Sequence, residues 1–183
     1  MSLLFPEPRV VVLGPGQALD AAQLSGRVTV VLSNHLVRYA VVPWSDALGS
    51  AAEEEAYVRH HFVRIHGERA KGWAVRASPD AGGVRLASAV DAPLIISIKR
   101  SFEGSKAKLV SIQPALMAAF NRARKDIPRA GAWLVLAEAG RACVALYAGG
   151  WRAVQNARGA WEEVLERERL RIGGALPEKV LQL

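Results

Sequence analysis

The sequence predicts an α/β domain, a mixed sheet with antiparallel hairpins flanked by helices, on three observations. Short apolar, β-branched runs of strand length recur at 10–13, 28–33, 37–42, 73–78, 84–90, 108–112, 132–137 and 142–148. Single segments with helical spacing of apolar residues lie between them, so strands alternate with helices instead of forming separate blocks. The breaks are turn formers: Gly14-Pro15-Gly16, Asp80-Ala81-Gly82-Gly83 and Glu138-Ala139-Gly140-Arg141.

Taken in order, 10–13 is a short strand ahead of the first Gly-Pro-Gly. The first strong unit follows Arg27: an apolar run at 28–33, the break Asn34-His35, and a second run at 37–42 before Pro43-Trp44. Two such runs across a short polar break predict an antiparallel hairpin. Ser50 with Glu53 makes a capping box. Behind it Ala51, Glu55, Val58, Phe62 and Ile65 keep helical spacing up to Gly67. Runs 73–78 and 84–90 make a second hairpin around 80–83. Asp91 then caps a helix with Leu94, Ile95, Ile98 and Phe102 inward and Gly104 at its end.

After a strand at 108–112, Pro114 opens a third helix at the position where proline is best tolerated. Leu116, Met117 and Phe120 face inward, and Pro128 terminates the segment. Runs 132–137 and 142–148 form a hairpin, 151–155 adds a third strand, a helix spans about 160–171, and 180–183 closes as a short strand. The blocks 28–42 and 133–155 look alike in pattern, a weak internal duplication.

Composition sets the class. The chain of 183 residues is 51% hydrophobic and 22% charged, which fits one globular α/β domain over 1–183 with a core at about 27–171 and no need for disulfides. Cys143 is the lone cysteine, set in the apolar run 142–146, and reads as a small buried hydrophobe. The N-terminal residues Met1 to Pro8 lack a basic n-region and carry two prolines, unlike a signal peptide. No run approaches the ~20 apolar residues of a membrane span, so the expected location is the cytoplasm. With 24 Lys and Arg against 17 Asp and Glu, the formal net charge is +7, which favours acidic partners without choosing among them.

Complete catalytic motifs are missing. No phosphate-binding GxxxxGK[ST] loop, dinucleotide fingerprint or zinc helix is present; His60, His61 and His66 share one helix but not the i, i+4 spacing that zinc needs. The carboxylates fall where caps and turns explain them: Asp20, Asp46, Asp80, Asp91 and Asp126, with Glu53-Glu54-Glu55 in the first turns of a helix. Glu138 is the one acid flanked by strands, either a turn residue or an acid near a metal. Ser33-Asn34-His35 sits at a hairpin tip, which suits tight-turn chemistry or the presentation of N–H groups to a phosphate. Among the cations, Arg122, Lys125 and Arg129 fall at helical spacing as one stripe suited to an acidic protein tail or anionic headgroups.

The run Val28-Thr29-Val30-Val31-Leu32-Ser33-Asn34-His35-Leu36-Val37-Arg38-Tyr39 resembles the opening hairpin of actin-like pilus and secretion assembly proteins. These are the PilM-type proteins of type IV pili and the cytoplasmic domain of the GspL-type proteins of type II secretion. The stretch 133–158, a hairpin followed by Gly149-Gly150-Trp151-Arg152-Ala153-Val154-Gln155-Asn156-Ala157-Arg158, is similar to the second phosphate hairpin of that fold. The resemblance implies an actin/ribonuclease-H-like fold in which Ser33, Asn34, His35, Glu138 and Gly140 hold the phosphate-loop positions in degenerate form. Actin-like ATPases place an aspartate in these hairpins, and neither tip here has one. The expectation is therefore a non-catalytic cytoplasmic scaffold or binding module of a pilus or secretion assembly, not an enzyme and without a cofactor. Its partners would be proteins of a membrane-associated assembly, contacted by Arg122, Lys125 and Arg129, with an anionic membrane surface and, behind it, nucleic acid as alternatives. The rival reading is a basic nucleic-acid-binding or ribonuclease-H-like protein, which would need converging carboxylates for Mg²⁺.

Overall fold

The computed structural model describes residues 7–45, 47–79 and 83–183. The expected turn at Asp80-Ala81-Gly82, the turn role of Asp46 and the N-terminal run 1–6 lie outside the described residues. The elements are β1 (Arg9–Leu13), β2 (Gly26–Leu32), β3 (Arg38–Pro43), α1 (Ala51–His66), β4 (Trp73–Ala77), β5 (Val84–Asp91), α2 (Ala92–Ser101), β6 (Ala107–Pro114), α3 (Ala115–Ala123), β7 (Ala132–Glu138), β8 (Arg141–Tyr147), β9 (Trp151–Arg158), α4 (Trp161–Ile172) and β10 (Val180–Gln182). They form three sheets, ordered β1-β2-β6, β3-β5-β4 and β10-β7-β8-β9. The first is parallel, the second antiparallel, and the third an antiparallel meander with β10 added parallel to β7.

The second half keeps the expected pairing. Glu138 pairs with Arg141 and Ala132 with Tyr147 across a two-residue turn, so β7 and β8 form the predicted hairpin. Gly140 takes a φ of 70°, the positive value that a type II turn demands at its third position. β9 adds to β8, and α4 covers one face of the meander through Val164 and Leu165 against Trp133, Val135 and Val144. On the other face α3 packs Leu116, Ala119 and Phe120 against Leu134, Cys143 and Trp151. With helices on both faces, β7 and β8 are buried almost end to end.

The first half departs from expectation at its hairpin. β2 and β3 do not pair. Both edges of β2 are occupied by parallel neighbours, β1 and β6, and Ser33 N–H extends the ladder by donating to Leu13 O at 2.9 Å. With no edge left, the chain turns away after Ser33, and β3 pairs with β5 on one side while its other side lies beside β9. The resemblance between blocks 28–42 and 133–155 thus does not extend to a shared hairpin. β2 runs through the core with Val28, Val30, Val31 and Leu32 all buried.

The helices follow their local signals with three exceptions. Ser50 Oγ accepts from Glu53 N–H at 3.2 Å and Glu53 reaches back to Gly49 N–H at 2.8 Å, so α1 starts where the capping box put it. Ile65, expected inward, is 55% exposed, because α1 docks through Val58 and Phe62. Asp91 stands at the N-cap of α2 without capping it: its carboxylate lies 3.9 Å from the Arg38 guanidinium instead. Pro114 ends β6 as the N-cap of α3 and does not occupy the first helical turn.

Candidate functional site

The two tips singled out in the sequence meet in space. The first is a tight turn after β2, closed by Leu36 N–H donating to Ser33 O at 2.9 Å. The second is the β7–β8 turn. Glu138, at the end of β7, bridges them: Ser33 Oγ donates to Glu138 Oε2, and Asn34 N–H donates to Oε1 at 2.8 Å. His35 N–H donates to Ser33 Oγ at 3.2 Å, which orients the hydroxyl. The His35 ring spans to the second tip, with Nε2 3.1 Å from Ala139 O and 3.9 Å from Glu138 Oε2. Ser33, Asn34, His35 and Glu138 are therefore one cluster. Gly140 shapes the turn beneath it, its carbonyl accepting from Gly159 N–H at 3.3 Å.

A second layer holds the first tip. Asn34 is fully buried; Tyr39 Oη donates to its Oδ1 at 2.9 Å, and its Nδ2 makes no hydrogen bond. Tyr39 in turn accepts from Leu116 N–H at 3.4 Å, at the start of α3. Burial first, with the Glu138 carboxylate and the Cys143 sulfur nearby, pushes the Tyr39 phenol well above its ordinary range against the Leu116 N–H, so it stays a neutral donor. Asn156 on β9 donates through Nδ2 to Asn34 O at 2.7 Å and Val37 O at 2.9 Å, while its Oδ1 accepts from Arg141 at 3.2 Å. Tyr39, Arg141 and Asn156 were not singled out in the sequence. The available signal was Asn156 itself, an asparagine inside a strand, where that residue is depleted.

The cations are arranged differently from expectation. Arg122, Lys125 and Arg129 are all exposed, but α3 stops at Ala123. Residues Arg124–Asp126 make one 3-10 turn, and Ile127 is extended ahead of Pro128. Proline disfavours helix at the residue before it, so the heptad that would align Arg122 with Arg129 is never built.

A groove of about 530 Å³ opens between the sheets. The outer strands β4 and β6 both line it, with Arg76 and Lys99 at its surface. Among the described residues no group of three or more His, Cys, Asp or Glu side chains could hold a metal ion, and no helix is long and apolar enough to cross a membrane.

This architecture is the actin-like fold: helix-flanked mixed sheets in two halves, each contributing a hairpin-like tip to a common junction. Solved structures with this fold include the following three. The cytoplasmic domain of EpsL, an inner membrane component of the type II secretion system of Vibrio cholerae, superposes with a TM-score of 0.57 at 14% identity, over 86% of this chain and 62% of that one. A chain of the PilM-PilN type IV pilus biogenesis complex gives 0.56 at 16% identity, over 79% and 46%. A Bacteroides thetaiotaomicron protein with an actin-like ATPase fold and unknown function gives 0.53 at 9% identity, over 86% and 68%. The chain thus spans less than two thirds of the length of the first two. No protein-family model and no curated protein matches the sequence.

Proposed function

We propose that this protein is a non-catalytic scaffold or binding module of a pilus or secretion-type assembly, acting at the cytoplasmic face of a membrane. One observation carries the reading. The Ser33 hydroxyl and the Asn34 N–H, the donors a phosphate would need at the first tip, are taken by the chain's own Glu138. The acid nearest in position to one that orients Mg²⁺ is thereby engaged in closing the tips. By likeness to the EpsL domain and to a chain of the PilM-PilN complex, the ligand of this chain is a protein of the assembly. Arg122, Lys125 and Arg129, exposed but not aligned on one helix, remain the proposed contacts for an acidic part of that protein or for anionic headgroups, and the groove between β4 and β6 offers an extended segment strand edges that pair with no other described strand there.

The test is titration and turnover with Mg-ATP. Neither saturable binding nor hydrolysis above background is expected, and turnover that vanishes in Glu138→Gln would overturn the reading. For the surface, the triple change Arg122→Ser, Lys125→Ser, Arg129→Ser should reduce retention on anionic liposomes or on the partner, and unchanged retention on both removes those residues from the proposal.

A further inference from the structure

We propose that Glu138 is a carboxylate latch: the junction between the two tips is an oxyanion site whose resident ligand is a side chain of the same protein. The donors come from one half and the acceptor from the other. Ser33 Oγ and Asn34 N–H belong to the turn after β2, and each bonds a different oxygen of a carboxylate more than a hundred residues later in the chain. The His35 imidazole flanks the same carboxylate, with Nε2 3.9 Å from Oε2. A hydroxyl and a turn N–H converging on one charged group, beside an imidazole whose Nε2 is engaged with Ala139 O at 3.1 Å, are the elements of an oxyanion site.

The donors are preset and do not follow Glu138 into place. The Asn34 backbone is pinned by Asn156 through its carbonyl, and its side chain by Tyr39. Ser33 Oγ is set by His35 N–H. The site is also reachable: the Glu138 and His35 side chains keep 25% and 27% of their surface exposed. A small carboxylate or phosphate could therefore enter where the Glu138 carboxylate is removed. The resident acid consequently excludes external oxyanions and ties the end of β2 to the end of β7.

This inference rests on the reading of closed tips, and its test is separate from nucleotide turnover. Thermal unfolding of Glu138→Ala is followed in sodium acetate, sodium phosphate and sodium chloride at matched ionic strength. The variant is expected to melt several degrees below the parent. Acetate or phosphate should then raise its midpoint saturably, by roughly 3 °C or more beyond chloride. The parent and the double variant Ser33→Ala, Glu138→Ala should show only the non-saturating rise that excluded anions give any folded protein, and the response of Glu138→Ala is read as its saturable excess over theirs. Equal responses in all three proteins, or none in Glu138→Ala, overturn the latch. If parent protein still binds no ATP in that case, the scaffold reading survives alone. Should Glu138→Ala not fold, Glu138→Gln keeps the question open to amide spectra. Replacing a charged acceptor with a neutral one should move the Asn34 N–H resonance upfield, and an unmoved Asn34 resonance overturns the proposal.

Discussion

Replacing Asn156 with alanine deletes a side chain that ties β9 to the turn before β3. Its Nδ2 supplies Asn34 O at 2.7 Å and Val37 O at 2.9 Å, and its Oδ1 receives Arg141. Asn34 is fully buried and Val37 is 3% exposed, so water cannot readily replace the lost donors. Stranding a buried acceptor costs about 1–3 kcal/mol; both bonds are only partly buried, which puts the pair at roughly 2–4 kcal/mol. With a urea m-value of about 2 kcal/mol/M, the unfolding midpoint should fall by roughly 1–2 M at unchanged m. The five tryptophans provide the fluorescence signal. Asn156→Asp removes the same donors and turns a carboxylate toward two carbonyls, so it should cost at least as much despite Arg141. A midpoint shift under about 0.3 M for Asn156→Ala, on the same m-value, would refute the claim that this side chain joins the halves.

Three further outcomes follow from single positions. Gly131 has a φ of 95°, and a Cβ there would sit 2.6 Å from both Ala148 Cβ and Tyr147 O; Gly131→Ala should cost about 2–5 kcal/mol from strain and overpacking together, read by urea unfolding, and a loss under about 1 kcal/mol would contradict this packing. Cys143 is fully buried, and burial first, then Glu138, push its thiol far up; a thiol reagent should label it only in denaturant, and rapid labelling of folded protein would place it elsewhere. His61 and His66 are held below the ordinary imidazole value, first by burial and then by neighbouring cations, Arg64 for the one and Arg69 with Arg38 for the other. The unfolded chain therefore binds these protons more readily, stability should fall as pH drops below about 6.5, and His66→Gln should flatten that decline in urea midpoints measured across it.

Local signals in the sequence determined the elements. The strand runs, the cap at Ser50, the stop at Gly67 and the Glu138–Arg141 turn each depend on residues a few positions apart, where propensity and turn chemistry act directly. The mixed helix-flanked sheet and the β7–β8 hairpin follow from them. The two tips were also legible as short polar breaks between apolar strands. Even the misassigned hairpin carried its own contrary signal: Val28-Thr29-Val30-Val31-Leu32 is unbroken and not alternating, the pattern of a central parallel strand buried on both faces.

Tertiary structure alone decided which strands are neighbours and what the tips do. β2 could not take β3 as a partner once β1 and β6 held its two edges, a competition between segments more than eighty residues apart that no local pattern encodes. The cation stripe lost its alignment because α3 ends at Ala123 and the chain tightens into a 3-10 turn and then extends at Ile127, ahead of Pro128, before Arg129 is reached. Glu138 read as a turn acid, and became the tie between two halves only because folding brings its carboxylate to Ser33 and Asn34. A hydrogen bond requires donor and acceptor within about 3 Å, and over such a separation in sequence that distance is set by the packing of whole sheets.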